Sequence, residues 1–160
     1  MATFRGFNNF VADLCNGGNL NLSSDTIKLG LTATSPNVAD TDLDTSLSPD
    51  KLISTSNAIE IASGNGYSEG GGTVTITTAS QSGGTYTLAA NQVVFTASGG
   101  AITAFRYLYL YDNTAGAAGT RPVIGWWDYG SSLTLNAGDS LTVKFNNANP
   151  GTIFTITSPA

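Results

Sequence analysis

Histidine is absent from the 160-residue sequence, and cysteine occurs once, at Cys15. Without imidazole or a second thiol the chain cannot build a His-based catalytic triad, an internal disulfide or a His/Cys zinc site. Cys15 itself is read as structural. Charge is scarce as well: Asp, Glu, Lys and Arg make up 11% of residues, against about a quarter in an average chain. Six basic residues stand against eleven acidic ones, for a net charge of −5. A balance of that sign repels nucleic-acid backbones, so no nucleic-acid partner is expected. Long apolar runs are missing too. No window approaches the roughly 18 residues that a membrane span requires, and Arg5, Asn8, Asn9 and Asp13 interrupt the opening segment where a secretory signal would be apolar. Neither a membrane partner nor a signal peptide is read.

Ser, Thr and Asn fill the space that charge leaves, at about a third of the chain, together with 19 Gly. Such a polar, uncharged composition suits extracellular or particle-bound proteins. The length suits one core, since a chain of this size buries roughly two-thirds of its unfolded surface.

Residues 1–21 form a helical segment and turn in this reading, and residues 22–160 a β domain. Thr3 is placed to cap a helix that presents Phe4, Phe7, Val11 and Leu14 on one face, with Phe10 beside them and Gly17 at its end. That face either covers the domain or docks on a partner. Thr26 to Thr34 alternates, with Ile27, Leu29 and Leu31 on one side, as in a half-buried strand. Ser35 to Asp50 is polar, carries Pro36 and Pro49 and has no period, so a surface excursion is expected. Its Asp40, Asp42 and Asp44 have calcium-loop spacing, but Thr45 and Lys51 stand where the turn Gly and bidentate Glu belong, so no metal is assigned. A helical turn is expected around Ser56 to Ala62 with Ile59 inward. Gly64-Asn65-Gly66 precedes a strand pattern rather than a helix, which removes a phosphate-loop reading.

The remainder reads as strands: Gly72 to Thr78, Tyr86 to Leu88, Gln92 to Thr96, Ile102 to Asp112, Pro122 to Tyr129, Leu133 to Leu135, Ser140 to Asn146 and Thr152 to Thr157. Gly99-Gly100 and Ala137-Gly138-Asp139 are candidate hairpin turns. The fold class expected is all-β, an antiparallel β-sandwich of jelly-roll-like connection with a short N-terminal helix. Within Ile102 to Tyr111, alternation places Phe105, Tyr107, Tyr109 and Tyr111 on one face and Ile102, Ala104, Leu108 and Leu110 on the other. Both faces are apolar, which marks a central strand covered twice. Arg106 needs solvent or a carboxylate, and Asp128 is the candidate partner. Trp126 and Trp127 point to opposite faces of the next strand, as core anchors or as a stacking platform for a sugar or a partner.

Four segments, Asp25 to Leu31, Ser63 to Gly71, Phe105 to Tyr111 and Ile124 to Gly130, together resemble a group of tailed-bacteriophage virion proteins similar to capsid decoration, or cement, proteins. The likeness extends in arrangement over residues 22–157. It implies a β-rich fold, many copies per virion, a position on the outer capsid surface after synthesis in the host cytoplasm, and no catalytic residues or cofactor. The partner implied is the phage major capsid protein, whose subunit contacts the bound protein would stabilise, with self-association as a homotrimer preferred over a dimer. A tail, fibre or adaptor component with a host-glycan-binding module is the alternative. An enzyme using carboxylates alone would have to call on Glu60 and Glu69, which read better as solvated loop charges. Candidate partner contacts are the exposed parts of Phe4, Phe7, Phe10, Tyr107, Tyr109 and Trp126, and none is catalytic.

Overall fold

The computed structural model describes residues 2–16, 20–53 and 58–159, without the Ile53 side chain. Three strands make the centre: β2 (Ile27–Thr32), β9 (Ile102–Asp112) and β10 (Arg121–Leu135). They belong to a seven-stranded sheet ordered β4 (Lys51–Ile53), β3 (Asp42–Asp44), β10, β9, β2, β5 (Gly72–Thr73), with β1 (Arg5–Gly6) also paired to β10. Two smaller sheets accompany it. One is the pair β8 (Val93–Thr96) and β11 (Ser140–Val143), and the other is ordered β12 (Gly151–Thr157), β7 (Thr85–Ala90), β6 (Ile76–Ser82). All pairings named are antiparallel, and the residues inside form one hydrophobic cluster. The architecture is the expected all-β, sandwich-like one with a short N-terminal helix.

The register explains why both faces of β9 are apolar. Leu108 lies opposite Leu31 and Trp127, and Leu110 opposite Leu29 and Gly125, so one face joins the leucines into the core. On the other face Tyr109 lies between Gly30 and Trp126, and Tyr111 opposite Lys28. Gly30 is there because a Cβ would overlap the Tyr109 ring, which is fully enclosed. β2 is therefore buried on both sides rather than half-buried as its alternation suggested, with Thr32 also at 0% exposure.

Several local expectations are corrected. The helix α1 spans Asn8–Cys15, not from Thr3, and Phe7 precedes it without a side-chain cap. Its opening amides find tertiary carbonyls instead: Phe7 N–H donates to Ile124 O at 3.2 Å and Asn8 N–H to Val38 O at 2.8 Å. Phe4 lies in the extended segment ahead of β1, and Val11 faces solvent at 62% exposure, so the packed side of α1 is Phe10 and Leu14, with Phe7 buried just before it. The excursion from Ser35 to Asp50 is not all surface. It contains β3, and Asp40, Leu43 and Asp50 are buried. Residues 56 and 57 of the expected helical turn lie outside the described residues. Beyond them Ile59 and Glu60 bridge to Lys51 and Thr32 in extended form, with Ile59 exposed.

Gly99-Gly100 and Ala137-Gly138-Asp139 join strands of different sheets, so they are corners between layers rather than hairpin turns. The two-residue hairpin is at Gly83-Gly84, where φ values of 56° and 82° match a turn that only glycine adopts freely. The strands expected at Pro122 to Tyr129 and Leu133 to Leu135 are one strand, β10, interrupted by a bulge: Asp128 faces Tyr107 and Leu133 faces Phe105, which leaves the intervening residues looped out.

A candidate partner-binding groove

Of the six candidate contacts, Phe7, Phe10, Tyr109 and Trp126 are enclosed by the chain itself, at 1%, 6%, 0% and 5% exposure. They serve the core of a single copy and have no free face for a partner. Phe7 and Phe10 anchor the N-terminal segment; Tyr109 and Trp126 face each other across β9 and β10. Tyr107 is half-buried, packed edge-on to Trp126 at 6.0 Å. Phe4 is half-buried as well, and it alone of the six lines an open groove.

That groove has a volume of about 580 Å³. Its floor is built from Phe4, Leu108 and Trp127, the last two paired across β9 and β10. Phe4 reaches this position by lying over Gly125, where any Cβ would strike its ring. Ring contacts fix the floor to the walls: Phe4 to Trp127 at 5.2 Å, Phe4 to Phe154 at 5.7 Å and Trp127 to Phe145 at 5.7 Å. One wall is residues 141–147, comprising most of β11 and the turn that follows it, and the other is residues 152–155 of β12. Lys144 is the one charged residue in this lining.

The bulge in β10 supplies the rim. Asp128 Oδ1 accepts the Gly130 amide at 2.8 Å while Arg106 holds both carboxylate oxygens, and Gly130 takes φ 97°. Tyr129, 49% exposed, is thereby held at the groove's edge. The Arg106 guanidinium holds the Asp128 carboxyl down at about 2. Arg106 is thus satisfied at the surface by the carboxylate that the strand pattern suggested.

A second polar cluster lies away from the groove. Glu60, 3% exposed, accepts hydrogen bonds from the Tyr67 hydroxyl and from the Gly70 amide at 3.0 Å. The Tyr67 oxygen accepts in turn from Leu31 N–H at 3.0 Å, and Tyr111 Oη donates to Gly70 O at 2.9 Å. Burial pushes the Glu60 carboxyl up to about 7, against the opposing help of these donors, with the Asp50 carboxyl adding to the rise. Tyr109 Oη is buried beside the same carboxyl. The arrangement clamps the segment 60–70 across the tyrosine face of β2 and β9. Glu60 is therefore not a solvated loop charge. Glu69 is the more open of the pair, tied to Ser48 Oγ at 2.7 Å and through its own amide to Ser63 Oγ at 2.8 Å. No group of three or more His, Cys, Asp or Glu among the described residues is placed to hold a metal ion. Asp40 is turned inward to accept the Asn37 amide at 2.9 Å, and Asp44 holds Ser46.

Sequence pattern alone missed Leu141, Phe145 and Phe154, which form the groove with Phe4 and Trp127. Phe145 and Phe154 sit in segments read as strands, but periodicity does not tell which sheet edge a strand occupies. No family model matches the chain, and neither a curated protein nor a solved structure is significantly similar to it.

Proposed function

We propose that the protein is a non-enzymatic bacteriophage capsid decoration protein that binds the outer capsid surface and stabilises contacts between major capsid protein subunits. The observation that carries this reading is the aromatic groove of about 580 Å³, which stays open to solvent in a single copy. Exposed apolar surface of this kind marks sites of association. Weak contacts become effective when many copies act on one lattice, because neighbouring attachments raise the effective concentration of the next. The four segments that carry the resemblance to decoration proteins support it too. In the fold they fall on β2, on the clamped segment 60–70, on β9 and on β10, the central part of the large sheet. A surface poor in charge, with a net −5, suits a position on the outer capsid surface, where binding nucleic acid would be unwanted.

The test is binding of the purified protein to empty expanded capsids, followed by a reconstruction of the decorated particle. Hundreds of copies at capsomer junctions and a raised capsid melting temperature support the reading. A few copies at the tail would support the adaptor or glycan-binding alternative, for which the exposed Tyr129 beside Trp127 is the candidate stacking surface. Trimers in solution would support the preferred self-association.

A further inference from the structure

The groove lies between two strand edges, and this determines what it can hold. A strand that meets a cavity with its face contributes alternate residues, because successive side chains point to opposite sides. Here β11 contributes the consecutive residues 141, 142 and 143, and β12 contributes 154 and 155 beyond its register break between Thr152 and Phe154 as well as 152 and 153 at that break. Both strands therefore meet the groove edge-on. Each is terminal in its sheet, β11 paired only to β8 and β12 only to β7 among the described residues. The floor beneath is the apolar face of the large sheet at Leu108 and Trp127. The sandwich thus has a complete seven-stranded layer and an opposing layer split in two, with unpaired backbone on both sides of the split.

The outward donors can be assigned. The Gly83-Gly84 hairpin makes Ser82 and Thr85 its closing pair, so the backbone groups of Tyr86 and Leu88 point to β12, opposite Ile156 and Phe154. The Ser158 amide donating to Gly84 O at 2.9 Å continues this alternation. Thr155 and Thr157, between these pairs, direct their N–H and C=O away from β7. Nothing charged blunts this edge: Gly151–Thr157 contains no Asp, Glu, Lys or Arg and no Pro. Exposed edges of that composition are rare in proteins that work alone.

We infer that the groove takes an extended segment of a partner polypeptide as an added β-strand, which would join β8-β11 and β12-β7-β6 into one continuous layer. The chemistry of the walls describes that segment. Alternate residues should be apolar, to stand on Leu108, Trp127 and Phe4, and the segment should be neutral or acidic, since Lys144 is the one charge in the lining. A second copy of this chain is the competing donor, and a dimer that buries the groove would reveal it. The inference rests on the decoration reading only for the partner's identity, which would then be a strand of the major capsid protein.

The experiment uses the Thr155→Pro variant, Thr155→Val as its control, and a soluble peptide of alternating Thr and Val ending in Glu. Proline at an outward-facing edge position removes the donor without breaking the pairing to β7, so the variant should fold with an unchanged circular dichroism spectrum. The peptide should slow exchange of the Thr155 and Thr142 amides, both of which point away from their sheet partners, and shift Trp127 emission, with affinity about tenfold weaker in Thr155→Pro and unchanged in Thr155→Val. Absence of protection at millimolar peptide overturns the inference, as does equal binding by both variants or a dimer that buries the groove. Binding of empty capsids separates the two proposals. Attachment that Thr155→Pro leaves intact removes strand addition and keeps decoration, whereas peptide binding without attachment does the reverse.

Discussion

Arg106 grips Asp128 with both prongs of its guanidinium, Nε on Oδ1 and Nη2 on Oδ2, each at 2.8 Å. The pair links the middle of β9 to the last regular residue of β10 before its bulge, and Asp128 passes the constraint on through the Gly130 amide. With 41% and 28% of the two side chains exposed, the pair orients the bulge more than it stabilises the fold. Single and double alanine variants at 106 and 128 should be non-additive in stability, with a coupling that shrinks at high salt. Additive losses would show the pair to be energetically silent. The aspartate is depressed from the usual 3.8 to about 2, so its contribution is present above pH 3.8 and is lost as pH falls through about 2.

Glu60 titrates in the opposite sense. Its carboxyl rises from 4.5 to about 7 on folding, so the native state holds a proton that the unfolded chain releases. The stabilisation from this is complete below pH 4.5 and disappears as pH climbs to about 7, a change on the order of 3 kcal/mol if no other group compensates. Denaturant unfolding across that range should show the decline in the wild type and a shallower one in Glu60→Gln, where the Asp112 carboxyl, raised by burial to about 6, still contributes. A wild-type profile that rises over the same interval would contradict the buried, protonated carboxyl.

Tyr67 is the donor that closes the Glu60 clamp and the acceptor for Leu31 N–H. Tyr67→Phe strands both partners in the interior, for a loss of about 1–3 kcal/mol. Amide exchange at Leu31 and Gly70 should accelerate more than at Leu88, which lies in another sheet. Uniform acceleration would mean that the clamp has no local role.

Gly30→Ala should be among the most damaging single-methyl additions. The new Cβ meets the ring of Tyr109, itself enclosed between β2 and β10, so strain of roughly 1–3 kcal/mol or more is expected. Gly130→Ala meets no neighbour and is disfavoured only by its positive φ. Comparison of the two melting temperatures distinguishes packing strain from backbone strain.

Trp126→Ala should cost about 3–5 kcal/mol, as truncation of a buried aromatic does, because its indole is enclosed beside Tyr107 and under Arg5 at 4.9 Å. A melting temperature within a degree of wild type would return Trp126 to the list of partner contacts.

The central strands were legible because their side chains announce two covered faces. Ile102–Asp112 was bounded to the residue, and the Arg106–Asp128 pair followed from one cation interrupting an apolar stripe. What escaped depended on long-range geometry. Thr3 and the phenylalanines after it have helical spacing, yet Arg5 and Gly6 are drawn into pairing with Trp126 and Gly125, which overrides local propensity. Glu60 looked like a loop charge because nothing nearby in sequence reveals that Tyr67 and Tyr109 close over it. The groove was hidden for a related reason: Phe4, Trp127, Phe145 and Phe154 meet only after the chain has crossed between layers, and edge position is a property of topology.

The uncharged terminal strand Gly151–Thr157 also bears on how the isolated protein should be handled. Colloidal repulsion between freestanding molecules comes from acidic residues elsewhere, and it vanishes near the isoelectric point of about 4.2. Mildly acidic storage should therefore be where turbidity and fibril seeding begin, even though protonated Glu60 makes each molecule most resistant to unfolding there.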